Sequence, residues 1–283
     1  MLIKEFNYEK VIQLLPERDP WSHKSHYGRV LMLCGSKGYT GAAALAAQAA
    51  MRCGTGLLFL GVPESVYPIL AVKLWEPVVF PLPDDDTGIL TADALGVIHQ
   101  KLGSMDAVLI GCGSGCTHGT RSMVQTVLES FPGPVVLDAD GINVLQGHKD
   151  IVRGRTGITI LTPHMGEFRR IYRGDCKDRI TAAAEMAQQL GCIVLLKGHE
   201  TVITDGQCCY INRTGNPGMA VGGSGDVLSG IIVSLLGQGL PPLEATAAAA
   251  WLHGAAGDLC ANEIGQYGML PTDMIQVLPR LLK

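Results

Sequence analysis

Short apolar runs that stop abruptly at glycine or a polar residue recur along the chain. Val30-Leu31-Met32-Leu33-Cys34 stops at Gly35-Ser36, the run 57–60 at Gly61, and the run 107–110 at Gly111. The run 135–137 stops at Asp138, 158–161 at Thr162-Pro163-His164, and 193–196 at Lys197-Gly198. Apolar runs of this length without polar alternation predict strands buried on both faces of a parallel sheet. Val202-Ile203-Thr204 before Asp205-Gly206 predicts a hairpin. Helical periodicity fills the intervals at 42–52, 92–101, 120–130 and 180–190, and later at 243–262 and 271–281. Strand, loop and helix in alternation predict a three-layer α/β/α sandwich with a mostly parallel central sheet. No linker, charge block or internal repeat divides residues 1–283, so one domain is expected. Ligands of such sheets bind beyond the carboxyl ends of the strands, which directs attention to the loops just named.

Composition narrows the class of ligand. Hydrophobic residues make up 47% and aromatics only 5%, as tightly packed helices on a buried sheet require. A net charge of −4 without any basic run argues against nucleic acid and for a small molecule. No stretch has the roughly 18–20 apolar residues of a membrane span. The start Met1-Leu2-Ile3-Lys4-Glu5-Phe6 lacks the apolar block of a signal peptide. Nine cysteines without recurring spacing read as small buried hydrophobes in a reducing cytoplasm. Cys112 and Cys116 near His118, the pair Cys208-Cys209, and His23 with His26 match no metal or redox spacing.

The stretch from Gly215 to Asp226 is nearly free of side chains and runs into the apolar segment 227–236. Glycines let backbone approach a ligand, and a following helix aims its free N–H groups and positive dipole end at the loop. Together they form an anion hole suited to phosphate. A carboxylate beside phosphate needs a reason, and abstraction of a hydroxyl proton during phosphoryl transfer supplies one for Asp226. The bland alternative is a turn in which Asp226 caps the helix.

Other strand-end loops add candidates. Gly35 to Ala43 and Gly111 to Gly115 can hold an anion or simply allow close packing, and neither is a P-loop. Asp138, Asp140 and Asn143 fit either turn and cap chemistry or a magnesium-water shell. In Thr162-Pro163-His164-Met165-Gly166-Glu167, Glu167 can hold Mg²⁺ through water and His164 can bond a substrate, or Thr and Glu can form a capping box. Lys197 can neutralise a phosphate, and the loop Lys197-Gly198-His199-Glu200-Thr201 can grip a nucleotide; a solvated lysine is the plain alternative.

Taken together these blocks resemble the NAD(P)H-hydrate dehydratases, a branch of the ribokinase-like superfamily. The run Asn216-Pro217-Gly218-Met219-Ala220-Val221-Gly222-Gly223-Ser224-Gly225-Asp226 is similar to the family signature. Ser22-His23-Lys24 before Gly28-Arg29-Val30, Gly35-Ser36 with Gly41-Ala42-Ala43, Thr162-Pro163-His164 with Gly166-Glu167, and Lys197-Gly198 with Thr201 resemble further blocks in the family order. Met165 stands where the family usually has Pro, and Ser224 where it usually has Thr; neither removes a functional group. The family's separate epimerase domain is expected to be missing, because only roughly two dozen residues precede the resembling region.

The resemblance implies repair of nicotinamide cofactor: dehydration of the S form of NADHX or NADPHX, with ADP or ATP as phosphoryl donor and Mg²⁺ as cofactor. ADP, giving AMP and phosphate, is the expected donor. It implies Asp226 as the base, with Gly223, Ser224 and Gly225 stabilising the transferred phosphoryl group. Lys197, Gly198, His199, Glu200, Thr201 and Gly225 are then expected on the nucleotide. Ala42, Gly113, His164 and Asp226 are expected on the hydrate, and Glu167 on the metal through water. A homo-oligomer, as in the family's tetramers, a cytoplasmic location and a partner NAD(P)HX epimerase in the same pathway are further expectations. The nearest rival is a small-molecule kinase of the hydroxyethylthiazole kinase type, with the same fold, anion hole and base but a stable phosphorylated product. A catalytically silent nucleotide-binding regulator is a third reading, opposed by Asp226, His164 and Lys197 occurring together.

Overall fold

In β2 (Arg29–Leu33), Val30 and Met32 pack into one apolar core and Leu31 and Leu33 into another, the period-two alternation of a strand with helices on both faces. The same division runs through the whole sheet. The structure is a computed structural model and describes residues 2–283. Its other strands are β1 (Leu2–Lys4), β3 (Leu57–Pro63), β4 (Val78–Leu82), β5 (Ala107–Ile110), β6 (Val135–Leu137), β7 (Thr159–Leu161), β8 (Ile193–Leu196), β9 (Thr201–Thr204) and β10 (Cys208–Asn212). They form one ten-stranded sheet in the order β1-β10-β9-β8-β7-β6-β5-β2-β3-β4. Every pairing is parallel except those of β9, which runs antiparallel to both β8 and β10. The expected sandwich and the expected hairpin are both present.

One face is covered by α1 (Tyr8–Leu14), α2 (Thr40–Arg52), α3 (Tyr67–Lys73), α9 (Ser224–Gly237), α10 (Pro242–Glu263) and α11 (Pro271–Val277). The other carries α4 (Ala92–Leu102), α5 (His118–Ser130), α6 (Asp140–Asn143), α7 (Met165–Ile171) and α8 (Arg179–Leu190). The Ala- and Gly-rich composition has its cause in the pair α2 and α9. Six alanines of α2 are buried, and a Cβ on Gly230 of α9 would lie 2.2 Å from the Ala46 carbonyl oxygen. Small residues let the two helices approach nearly backbone to backbone. That contact fixes the direction of α9 and the place of the loop before it.

The sequence pattern left out several short elements, among them α1, β1, α3 and β4. Strand β4, Val-Val-Phe-Pro-Leu, lies at the sheet edge, where Pro81 costs no ladder bond. Strand β1 has three residues and pairs with β10, some two hundred positions away. Helix α3 is short and has Pro68 in its first turn. Residues 278–281, expected to continue a helix from 271, form a separate 3₁₀ turn because Pro279 cannot extend the α-helical bonding.

Candidate active site

The loops after β2, β5, β6, β7 and β8 meet the loop 213–223 and the first turn of α9. Asp138, at the end of β6, is the centre of this meeting. It is 1% exposed. Lys197 Nζ and Thr162 Oγ1 each donate to its Oδ1 at 2.8 Å, and Ser229 Oγ of α9 donates to its Oδ2 at 2.8 Å. The Cys112 thiol donates weakly to Oδ2 at 3.7 Å. Burial alone would raise its pKa. The Lys197 ammonium and the three strong hydrogen bonds overcome that and hold Asp138 below its ordinary value. Lys197 is likewise disfavoured by burial, and the charges of Asp138 and Glu167 more than reverse this, holding its pKa up.

Asp226 has a different fate. Gly223, in the left-handed region at φ 98°, turns the chain into α9, and a Cβ there would lie 2.5 Å from Leu45 Cδ1. Asp226 is thereby placed in the first turn of a fourteen-residue helix. One oxygen of Asp226, one of Asp138 and the Cys112 sulfur lie within 4.8 Å of one another. Burial and the charge of Asp138 raise the Asp226 carboxyl to about 6, against weaker lowering by Cys112 and Lys197. A carboxylate poised near neutrality at a helix N-terminus can accept a proton from a bound hydroxyl.

Three donors in this cluster do not make a magnesium site. Cys112 has its pKa pushed well up by a hydrogen bond with Cys34 and by burial, and Asp138 is already committed to Lys197. The other metal candidates separate. Cys112 is buried while Cys116 is exposed, and Cys112 groups only with the two aspartates among the described residues. Asp140 Oδ2 accepts from the Gly115 amide at 2.8 Å, and its Oδ1 accepts from Asn143 Nδ2 at 3.2 Å. Asn143 in turn accepts from Arg170 at 2.6 Å. Asp140 and Asn143 are thus loop fasteners, as the turn reading has them, whereas Asp138 is neither turn nor cap but the partner of Lys197.

His164 and Glu167 do form a capping box, with His164 rather than Thr162 as the N-cap of α7. His164 Nδ1 accepts from the amides of Gly166 (2.9 Å) and Glu167 (3.3 Å), and Glu167 Oε2 accepts from the His164 amide at 2.9 Å. Thr162 instead serves Asp138. Glu167 is buried, close enough to Lys197 for its charge to act on that ammonium.

A cleft of about 940 Å³ opens beside this centre. Lys197, Gly198, His199, Glu200 and Thr201 line one wall, and Ser224 and Gly225 another, with His164 at the junction. The Thr201 hydroxyl donates to the Gly198 carbonyl at 2.8 Å and closes that loop. Glu200 holds φ at 54°, uncommon for a side-chain-bearing residue, and pairs with Arg213 at 3.1 Å across the cleft mouth. Ala42 and Gly113 lie elsewhere, packed against each other with Tyr39. They adjoin Asp226 through Cys112. Of the sequence-derived residues, the nucleotide candidates and His164 line the cleft, whereas Ala42, Gly113 and Asp226 do not. Sequence reasoning missed Ser229, the linking role of Cys112, and His253 of α10, which lines the cleft and lies 2.9 Å from the Ser224 carbonyl oxygen. Asp138 had a signal, a carboxylate ending an apolar strand, but its partners come from four distant segments.

Known proteins are similar to this chain in sequence and in fold. The family model for NAD(P)H-hydrate dehydratase matches residues 30–280. The bifunctional NAD(P)H-hydrate repair enzyme of Moorella thermoacetica is 44% identical over 275 residues, 95% of this chain and 52% of that protein. The chain spans about half the length of the curated relatives it matches. An ADP/ATP-dependent NAD(P)H-hydrate dehydratase from Bacillus subtilis, co-crystallised with ATP and Mg²⁺, superimposes with a TM-score of 0.85 at 35% identity, covering 97% of this chain and 96% of that one. A hydroxyethylthiazole kinase from Pyrococcus horikoshii reaches 0.66 at 16% identity over 96% and 92%, a likeness of fold alone. By sequence and by structure, this chain belongs to the NAD(P)H-hydrate dehydratase family of the ribokinase-like superfamily.

Proposed function

We propose that this chain is a carbon–oxygen lyase that dehydrates the S form of NADHX or NADPHX to the reduced cofactor, with ADP or ATP as phosphoryl donor. The observation that carries the mechanism is Asp226: a carboxyl raised to about 6, in the first turn of a helix, beside a cleft of nucleotide size. Its carboxylate takes the proton of the ring hydroxyl as that oxygen attacks the terminal phosphoryl group. Amides of Gly223, Ser224 and Gly225 receive the charge growing on the phosphoryl oxygens. Phosphate is then a far better leaving group than hydroxide. The ring nitrogen lone pair expels it, a proton leaves the neighbouring ring carbon, and the dihydronicotinamide is restored. With ADP the products are AMP and phosphate.

Lys197, Gly198, His199, Glu200, Thr201 and Gly225 would hold the nucleotide; Ala42, Gly113 and His164 would hold the hydrate with Asp226. A magnesium ion commonly keeps several waters and is held by substrate phosphates plus one or two carboxylates. Glu167 fits the outer part of such a shell. Its Oε2 accepts one backbone N–H at 2.9 Å and its Oε1 lies 3.5 Å from His164 Nε2, which leaves lone pairs for a metal-bound water. When bound, the ion neutralises the phosphate oxygens.

Residues 1–283 act as one unit in this reading, in a homo-oligomer such as a tetramer, working beside a separate NAD(P)HX epimerase. Nine free thiols, six of them buried, support a reducing cytoplasm. Among the described residues no helix is long and apolar enough to cross a membrane.

The test mixes protein, Mg²⁺, acid-generated NADHX and either ADP or ATP, and follows absorbance at 340 nm. Nucleotide-dependent return of the NADH band is expected. A folded, nucleotide-binding protein that restores none with either donor would transfer the reading to a small-molecule kinase.

A further inference from the structure

The loop between β10 and α9 is shaped by α10. Asp258 Oδ2 accepts from the Gly215 amide at 2.8 Å, and its Oδ1 accepts from Asn216 Nδ2 at 3.0 Å. Thr214 Oγ1 donates to the Trp251 carbonyl at 3.1 Å. Gly254 brings the helix against this loop, since a Cβ there would lie 2.2 Å from Thr214 Oγ1. Immediately before Gly254 stands His253, whose Nε2 is 2.9 Å from the Ser224 carbonyl oxygen and 3.2 Å from Ser224 Oγ. A carbonyl only accepts, so Nε2 carries a proton, and in the neutral ring Nδ1 then carries none. Desolvation keeps the ring neutral, with a pKa near 4 that the Ser224 carbonyl raises only in part.

The Ser224 carbonyl belongs to the same peptide plane as the Gly225 N–H. In a trans peptide the two point in opposite directions. An imidazole pulling on the carbonyl therefore fixes the direction of the Gly225 N–H, which has no partner further back in the helix and belongs to a residue lining the cleft. Hydrogen bonding at one end of an amide also strengthens donation at the other. We propose that His253 is a positioning residue for phosphoryl transfer: its Nε2–H orients and polarises the Ser224–Gly225 peptide, so that the Gly225 amide meets the transferred phosphoryl group. This rests on the dehydratase reading. Asp226 follows Gly225 directly, so the same bond also steadies the base.

His253→Leu and His253→Gln are the variants to compare, since the Gln amide nitrogen can take the place of Nε2. For H253L, kcat in the 340 nm assay is expected to fall about tenfold to a hundredfold, less than for outright loss of an oxyanion-hole donor. KM for NADHX should change no more than about twofold, because the amide acts mainly on the transition state. H253Q should recover most of kcat. Unchanged kcat in H253L, or equal loss in both variants with native thermal unfolding, would overturn the proposal. A measurement on the wild-type protein guards against a variant that does not fold. Long-range ¹H–¹⁵N spectra of the histidine ring at pH 7 should show the neutral tautomer protonated at Nε2; an Nδ1–H tautomer or an imidazolium would refute the assignment. Wild-type protein that binds ADP yet repairs no NADHX would sink the dehydratase reading and with it the role in that reaction, whereas repair unaffected by H253L would sink this inference alone.

Discussion

Two aspartates share one corner of the molecule and are treated in opposite ways. Asp138, at the end of β6, receives an ammonium and two hydroxyls at 2.8 Å and is held ionised. Asp226, in the first turn of α9, has the same burial problem, a like charge beside it, and little compensation, so its carboxyl rises to about 6. A fully partnered carboxylate is inert and structural. An under-partnered one is available for proton transfer. The difference teaches how a single site divides labour: Asp138 spends its partners on fixing Lys197, Thr162 and Ser229, and its charge raises the proton affinity of its neighbour.

Removing each carboxyl in turn is the strongest test of that division. Asp226→Asn should lower kcat by about 10²–10⁴-fold, the usual contribution of a general base. Calorimetric ADP affinity should stay near the wild-type value, and Tm should hold or rise by a few degrees because an ill-solvated charge is gone. Near-normal turnover would remove Asp226 from the role of base. Asp138→Ala should behave in the reverse order of severity. It leaves Lys197 enclosed without its partner, which costs about 3 kcal/mol, the lower end for a broken buried pair since the Lys197 side chain keeps 20% exposure. For a chain of this size that lowers Tm by roughly 5 °C. A thermal melt unchanged by Asp138→Ala would break the comparison at its structural half.

What the sequence could reveal follows the same line. Gly215 to Asp226 is a local signal: glycines, a turn and a helix start lie within twelve positions, so the loop, the start of α9 and the place of Asp226 in its first turn were legible. The parallel strands were legible because each is a short unbroken apolar run. The partners of Asp138 come from after β5, after β7, after β8 and from within α9, and no local pattern encodes their convergence. Asp140 and Asn143 look like equal candidates beside Asp138 on paper; only the fold shows them turned to Gly115 and Arg170. His253 sits in an alanine-rich helix with nothing in its neighbourhood to mark it. Its meaning depends on a contact with Ser224, twenty-nine residues earlier.

The pH dependence sharpens the comparison with a smaller effect. Below about pH 6 Asp226 is protonated and cannot accept the hydroxyl proton, so kcat/KM should fall on the acid side with an inflection near 6. Asp138→Asn removes the like charge and frees the Lys197 ammonium, and both changes favour ionised Asp226. The acid limb should therefore move to lower pH in whatever fraction of this variant folds. A shift to higher pH would mean that Asp138 does not set the proton affinity of Asp226. Stability carries the matching sign. With its folded pKa above the unfolded value, Asp226 binds more protons when folded, so its contribution declines as pH rises from about 4 to about 6. Asp138, with its folded pKa lowered, contributes stability above its unfolded pKa that is lost as pH falls through the folded one.

Glu167 extends the comparison to a third carboxylate and gives the smallest expected change. It resembles Asp138 in being buried and fastened, yet its fastening is a capping box that glutamine satisfies as well as glutamate. Glu167→Gln should therefore leave Tm within about 2 °C, a shift worth roughly 1 kcal/mol at this chain length. The neutral amide orders metal-bound water less well than a carboxylate, and it no longer supports the Lys197 charge. The Mg²⁺ concentration for half-maximal turnover should rise several-fold while kcat at saturating Mg²⁺ stays close to wild type. A Mg²⁺ titration that superimposes on the wild-type curve would assign Glu167 wholly to the helix cap and leave the ion to the phosphates and water.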